Sequence, residues 1–309
     1  MINNIFIFVV ALFFVLRGAT LATKYAAKLA ESYHLSKYTV GFIIIAIISI
    51  LPETLISLNS ALEGMPSFGL GMLFGSNIAD LTLIFAIITF FAGRDLKIES
   101  KILKNQTIYP FLLIIPLILG LDGKFSRIEG IALIIAGGVF YYMALKRDHS
   151  DVVAEHTHNG RFKNFSMLIL SMVLMLIGSH FTVTSATDLA HTLGINPILI
   201  GMLVVGLGTT IPELFFSMKS VKAKDDSLAI GDVLGTVLAD ATIVVGLLAL
   251  VNPFSFPQKI IYITGIFMVA ASLILFHFMR SGKNISKREA YILLMFWVVF
   301  VLVEFIANS

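Results

Sequence analysis

Long apolar runs, separated by short polar and mostly basic connections, succeed one another along the whole chain. In the first half they lie near residues 5–27, 38–62, 68–92, 106–121 and 127–145, and in the second near 164–190, 197–221, 227–251, 258–279 and 289–306. A hydrocarbon core of about 30 Å asks for roughly 20 predominantly apolar helical residues, so each run predicts one transmembrane helix. The expected fold is all-α, a polytopic membrane protein with ten spans. A five-helix half over 1–147 is followed by a linker at 148–163 and a second five-helix half over 164–309. Five crossings end on the side opposite to their start, so the two halves are expected to be inverted in topology.

Composition agrees with this reading. Hydrophobic residues make up 58% of the chain and charged residues 13%, far from the roughly even apolar share and quarter charged share of soluble domains. Of the 22 Lys and Arg residues, all but Arg17, Lys124, Arg127 and Lys259 fall on one side of the predicted membrane. That side is cytoplasmic by the positive-inside rule, which puts both termini outside. A net charge of +3 is too small to suggest nucleic acid, and with zero cysteines there is no thiolate ligand or thiol nucleophile. Met1 to Asn4 lack a basic n-region, so the first run reads as a retained helix. His156-Thr157-His158 and its acidic neighbours read as a solvated linker. Ser286-Lys287-Arg288-Glu289 has the spacing of a capping box and marks a helix start. His180, inside the sixth run, reads as a hydrogen-bonded structural residue.

The halves also repeat in detail. Ser49-Ile50-Leu51-Pro52-Glu53 returns as Thr209-Thr210-Ile211-Pro212-Glu213, and Gly75-Ser76 with Asp80 returns as Gly235-Thr236 with Asp240. All share one offset of 160 positions (53 to 213, 75 to 235, 80 to 240). Pro52 and Pro212 fall inside apolar runs, where proline removes a helix hydrogen bond and clashes with the preceding turn. Each run is therefore expected to break, freeing carbonyls around Ala46–Ser49 and Gly206–Thr209, which is tolerable in lipid only where they line a cavity or meet a ligand. Ser76 with Asp80, and Thr236 with Asp240, lie four apart on one helix face. Gly71 with Gly75, and Gly231 with Gly235, allow close approach to the broken helices. The four acids Glu53, Asp80, Glu213 and Asp240 with these hydroxyls form an all-oxygen set that favours a hard cation, Ca2+ above Mg2+. Asp232, whose repeat partner is Met72, reads as a helix-end or gate residue near the cytoplasmic mouth.

These motifs resemble those of the cation/calcium antiporter superfamily, and within it the prokaryotic sodium/calcium exchangers. Members carry two repeats, each pairing a broken helix bearing a Thr-Ser-x-Pro-Glu-like segment with a helix bearing Gly-Ser-x-x-x-Asn/Asp. The resemblance covers nearly the whole chain. It implies a secondary antiporter in a prokaryotic cell membrane, exchanging Ca2+ for Na+, with no resident cofactor and no obligatory protein partner. It also implies Glu53 and Glu213 as central Ca2+ ligands assisted by Ser49 and Thr209. Ser76, Thr236, Asp80, Asp240, Thr210 and the carbonyls of Ala46 and Gly206 would serve Ca2+ or Na+. Two positions depart from the pattern: Ile50 lacks the second hydroxyl, and Asp80 stands where sodium exchangers often have Asn. The Gly-Asn-x-x-Glu pattern of the proton-coupled branch is absent from both repeats, which favours Na+ over H+. A Ca2+/H+ exchanger, another divalent-cation transporter, a passive channel and an intramembrane enzyme are the alternatives. An enzyme needs groups with unlike roles, whereas both halves here present near-identical groups.

Overall fold

The computed structural model describes residues 2–31, 49–98, 108–146 and 161–308, and its regular structure is almost entirely helical. Helices α1 (Ile2–Glu31), α2 (Leu51–Leu62), α3 (Pro66–Ala92), α4 (Ile108–Leu119) and α5 (Arg127–Lys146) form the first half. Helices α6 (Arg161–Leu193), α7 (Pro197–Lys222), α8 (Asp226–Val251), α9 (Ile260–Gly282) and α10 (Lys287–Asn308) form the second. Among the described residues seven helices, namely α1, α3 and α6 to α10, contain a stretch long and apolar enough to cross a membrane. Their outward residues, such as Phe6, Phe13, Phe165, Ile169, Met295 and Phe305, are exposed and apolar, as a lipid-facing surface requires. The chain is a polytopic helical membrane protein.

α6 begins at Arg161, three residues before the expected start of the second half at 164. Of the second predicted span, 38–62, only the part from Ser49 onward lies within the described residues, as does the fourth span from 108. Ala46 and most of the linker fall outside them.

The repeat seen in the sequence is carried into the turns. Ser126 and Glu129 cap α5 reciprocally, the Ser126 N–H donating to Glu129 Oε2 at 2.7 Å. Ser286 and Glu289 do the same for α10, also at 2.7 Å, as the capping-box spacing predicted. The corner after α2 closes through Gly64 at φ +75°, with the Met65 N–H on the Ser60 carbonyl at 2.7 Å. The corner after α7 repeats it through Lys224 at φ +63°, with the Asp225 N–H on the Ser220 carbonyl at 2.9 Å. The left-handed conformation that glycine adopts freely in one half is thus forced on a lysine in the other.

The two halves interlock. In α3 and α8, 83% of the most apolar window is buried, against 33% in α1 and α6, so α3 and α8 are the central elements. α3 lies directly against α7: a Cβ at Gly201 would sit 2.9 Å from the Phe68 carbonyl, one at Gly206 3.0 Å from the Met72 carbonyl, and one at Gly75 against Met202. Gly71 and Gly75 therefore serve the close packing expected of them, whereas a Cβ at Gly231 meets nothing within 4 Å among the described residues. Short strands tie the connections across the halves. β1 (Leu96–Lys97) pairs with β4 (Asn284–Ile285), and β2 (Lys124–Phe125) with β3 (Phe254–Ser255), both antiparallel. Arg94, just past α3, makes a two-pronged ion pair with Asp226 at the start of α8 at 2.6 and 2.7 Å, and the Lys97 N–H adds a third bond to that carboxylate.

Candidate cation site

Four elements bring the predicted residues together: the first turns of α2 and of the second part of α7, and the middles of α3 and α8. The proline interruption is confined. Ile50 (ψ −5°) precedes helix Leu51–Leu62, and Thr210 (ψ −4°) separates Gly206–Thr209 from Ile211–Lys222. Both kinks fall two residues before the proline, because Pro52 and Pro212 occupy the second position of the new helix, where no N–H is needed. Glu53 and Glu213 follow in the first turn, where the freed N–H groups and the helix dipole favour a carboxylate.

The kink is milder than the freed-carbonyl reading expects. The Gly206 carbonyl is not released: the Thr209 hydroxyl donates to it at 3.0 Å and the Thr210 N–H at 3.3 Å. One residue of altered ψ redirects the chain, and the Thr209 side chain folds back to fill the gap. Likewise Thr210 Oγ1 donates to the Leu207 carbonyl at 3.0 Å, and Ser76 Oγ to the Leu73 carbonyl at 3.0 Å. A hydroxyl whose proton is parked on a helix carbonyl turns its lone pairs outward, which suits it to a cation.

Asp80 and Asp240 each open a π-helical turn, Asp80–Ile84 and Asp240–Val244. Inside each, a threonine bonds back one turn, Thr82 to Ile78 at 2.5 Å and Thr242 to Leu238 at 2.6 Å. The extra residue in such a turn re-aims the side chains around it, here at the acid of each half. Two tyrosines hold α8 just before Thr236: Tyr109 donates to the Leu234 carbonyl and Tyr141 to the Gly235 carbonyl, both at 2.6 Å.

Glu53, Asp80, Glu213 and Asp240 are all at most 1% exposed. They are electrostatic neighbours of one another: Glu213 feels Glu53 and Asp80, and Asp240 feels the same two. Thr209 also lies within hydrogen-bonding reach of Glu53. Ser49, Thr209, Thr210, Ser76 and Thr236 are buried in the same region. Among the described residues eleven buried side-chain oxygens have no hydrogen-bond partner, and seven are carboxylate oxygens: one each of Glu53, Asp80 and Asp232, and both of Glu213 and Asp240. Thr236 Oγ1 is another. No Lys, Arg or His is buried among the described residues, so none of these answers the acids as a fixed buried cation. A buried carboxylate without a partner costs several kcal/mol, and in a membrane such a group marks a functional site. No three acids among the described residues stand close enough to hold one ion by themselves. An ion here would therefore draw on hydroxyl and carbonyl oxygens as well.

Three features escaped the sequence reading. Asp232 lies inside α8 and not at its end: it is 6% exposed, receives the Ser49 hydroxyl at 3.2 Å, and is an electrostatic neighbour of Asp80 and Glu213. Ser57 and Ser217, one turn beyond each glutamate, are fully buried with unpartnered hydroxyls, and their common offset of 160 was available as a signal. Glu304 is buried in α10 with Thr264 donating to it. His180, by contrast, is exposed and paired with Glu63 at 3.0 Å.

Comparisons with known proteins follow this geometry. The chain is 25% identical to the sodium/calcium exchanger MaX1 of Methanosarcina acetivorans over 98% of both proteins, and 25% identical to the inner membrane protein YrbG of Escherichia coli over 79% of each. Its fold matches the sodium-calcium exchanger NCX_Mj with a TM-score of 0.71 at 22% identity, covering 97% of this chain and 98% of that one. It matches the H+/Ca2+ exchanger CAX with a TM-score of 0.83 at 16% identity, covering 97% and 82%. The profile described as "Sodium/calcium exchanger protein" matches twice, over residues 3–146 and 163–306. The acid pairs contributed by both halves are thus set in a chain that belongs to the sodium/calcium exchanger protein family, within the cation/calcium antiporters.

Proposed function

We propose that this protein is a secondary active antiporter that exchanges Ca2+ for Na+ by alternating access. Its ten spans form two inverted five-helix halves, 1–147 and 164–309, joined by a linker at 148–163, with both termini outside the cell. Glu53, Glu213, Asp80 and Asp240 carry the ions, with oxygens from Ser49, Ser76, Thr209, Thr210 and Thr236 and the carbonyl of Ala46 completing the ligand set, and the carbonyl of Gly206 contributing in other conformations. The observation that carries this reading is the cluster of buried, unpartnered carboxylate oxygens contributed by equivalent positions of both halves. A site built from matching groups of two halves opens to either side when the halves exchange conformations. The cross-half strand pairs, β1 with β4 and β2 with β3, support that symmetry. The name of the archaeal relative supports Na+ as the coupling ion.

A proton-coupled exchanger is the second reading, favoured by Asp80 and Asp232, which bring the buried acids at the site to five, against the two charges of one divalent ion. Uptake of radiolabelled Ca2+ into proteoliposomes, driven by an outward Na+ gradient or separately by an outward H+ gradient, decides between them. Uptake driven by Na+ at equal pH is expected. Uptake driven only by H+ would establish the second reading, and Ca2+ flux without either gradient coupling would make the protein a channel.

A further inference from the structure

The two halves differ at the site in a paired way. On the α7 side, the broken helix carries two hydroxyls, Thr209 and Thr210, and the facing residue of α3 is Met72, fully buried, with its carbonyl against Gly206. On the α2 side the equivalent residues are Ser49 and Ile50, and the facing residue of α8 is Asp232. One hydroxyl is lost at position 50 and one carboxylate gained at position 232.

Asp232 is built into this place rather than left over. Ser49 Oγ donates to its Oδ1 at 3.2 Å, which fixes the carboxylate orientation, while Oδ2 is buried with no partner among the described residues. Its electrostatic neighbours include Asp80 and Glu213, so the unanswered oxygen belongs to the same field as the paired acids. Four duplicated carboxylates can be neutralised by divalent ions alone, but a fifth makes the number odd. The surplus charge sits on one side of the site only, and the charge of one extra carboxylate is matched by one monovalent cation.

We propose that Asp232, with Ser49, forms an additional Na+ position on the α2 side of the site, with no counterpart on the α7 side, where Met72 stands. It rests on the exchanger reading above and adds to it an ion position that breaks the internal symmetry. The consequence is a steeper dependence on sodium than the symmetric residues provide.

The test is equilibrium binding of radiolabelled Ca2+ to the purified protein, displaced by NaCl with choline chloride holding ionic strength constant. Relative to the unaltered protein, Asp232→Asn is expected to lower the Hill coefficient for Na+ displacement by about one and to raise the half-displacing Na+ concentration about tenfold, the lower end of what one charged ligand contributes and suited to a monovalent ion. Ser49→Ala, which removes only the orienting hydroxyl, is expected to shift the curve in the same direction by less, and it carries the test alone if the first variant does not fold. Na+ displacement unchanged in both variants would overturn the proposal. So would a variant that keeps the Na+ curve but loses only a pH dependence of Ca2+ binding, since Asp232 would then hold a proton. Loss of Ca2+ binding in a folded Asp232→Asn protein would make the residue a Ca2+ ligand and equally overturn it. Failure of the exchanger reading looks different: the unaltered protein would bind no Ca2+, or bind it without competition from Na+.

Discussion

At the scale of single residues, the site is defined by what its acids lack. Glu53 and Glu213 sit at equivalent helix starts, are 1% exposed, and leave three of their four carboxylate oxygens unpartnered. They are electrostatic neighbours, and in the proposed exchanger both serve the same ions. Glu53→Gln and Glu213→Gln are each expected to reduce Ca2+ uptake by about a hundredfold or more, as the loss of one charged ligand worth about 3 kcal/mol implies. Proteoliposome uptake measured alongside a folding check decides this, and near-normal uptake by either variant would separate the two glutamates. These residues were legible in the sequence because an acid in an apolar run is conspicuous and its repetition at one offset is more so. Asp232 was not, because its partner position holds Met72 and a reading guided by symmetry discounts what only one half contains. Its burial arises from the packing of α8 on the start of α2, a contact between residues 183 positions apart.

Among the elements, proline placement and capping were readable from local chemistry, and the structure bears out the cap at Ser286 and Glu289. The π turns at Asp80 and Asp240 were not readable, since one inserted residue leaves the apolar pattern of a fully buried helix unchanged. Nor was the occupied Gly206 carbonyl, which depends on the rotamer of Thr209. The corner after α7 offers an independent check on the repeat. Lys224 at φ +63° occupies the place that Gly64 holds at φ +75°, and it is exposed. A non-glycine residue there carries strain of about 1 kcal/mol. Lys224→Gly is therefore expected to stabilise the protein by up to about 1 kcal/mol, and Gly64→Ala to destabilise it by a similar amount. Thermal unfolding of both variants in one detergent measures this. A lower melting temperature for Lys224→Gly would mean that the lysine side chain makes up for its strained backbone.

On the scale of the whole molecule, the fold holds together around a centre that opposes it. α3 and α8 are the most buried helices and carry Asp80, Asp232 and Asp240 between them. The halves are clamped on each other outside that centre by the Arg94 and Asp226 ion pair and by the two strand pairs. Such an arrangement keeps mutually repelling groups close without a buried countercharge among the described residues, so an ion that enters the site would do the work a salt bridge does elsewhere. Stability and ion binding should then be coupled. A ligand that binds only the folded state stabilises it by about 2.7 kcal/mol at a free concentration one hundred times its dissociation constant. Saturating Ca2+ is accordingly expected to raise the melting temperature of the ion-free protein, and Mg2+ to raise it less, because the smaller ion demands a tighter octahedron. Glu213→Gln is expected to act in two opposite ways. It removes one uncompensated buried charge, so the ion-free variant should melt above the ion-free parent, while the further increase on adding Ca2+ should disappear. Melting curves of both proteins in chelator, Mg2+ and Ca2+ test this. A variant that melts lower in chelator yet keeps its Ca2+ response would show that the acids serve the fold and that the ion binds elsewhere.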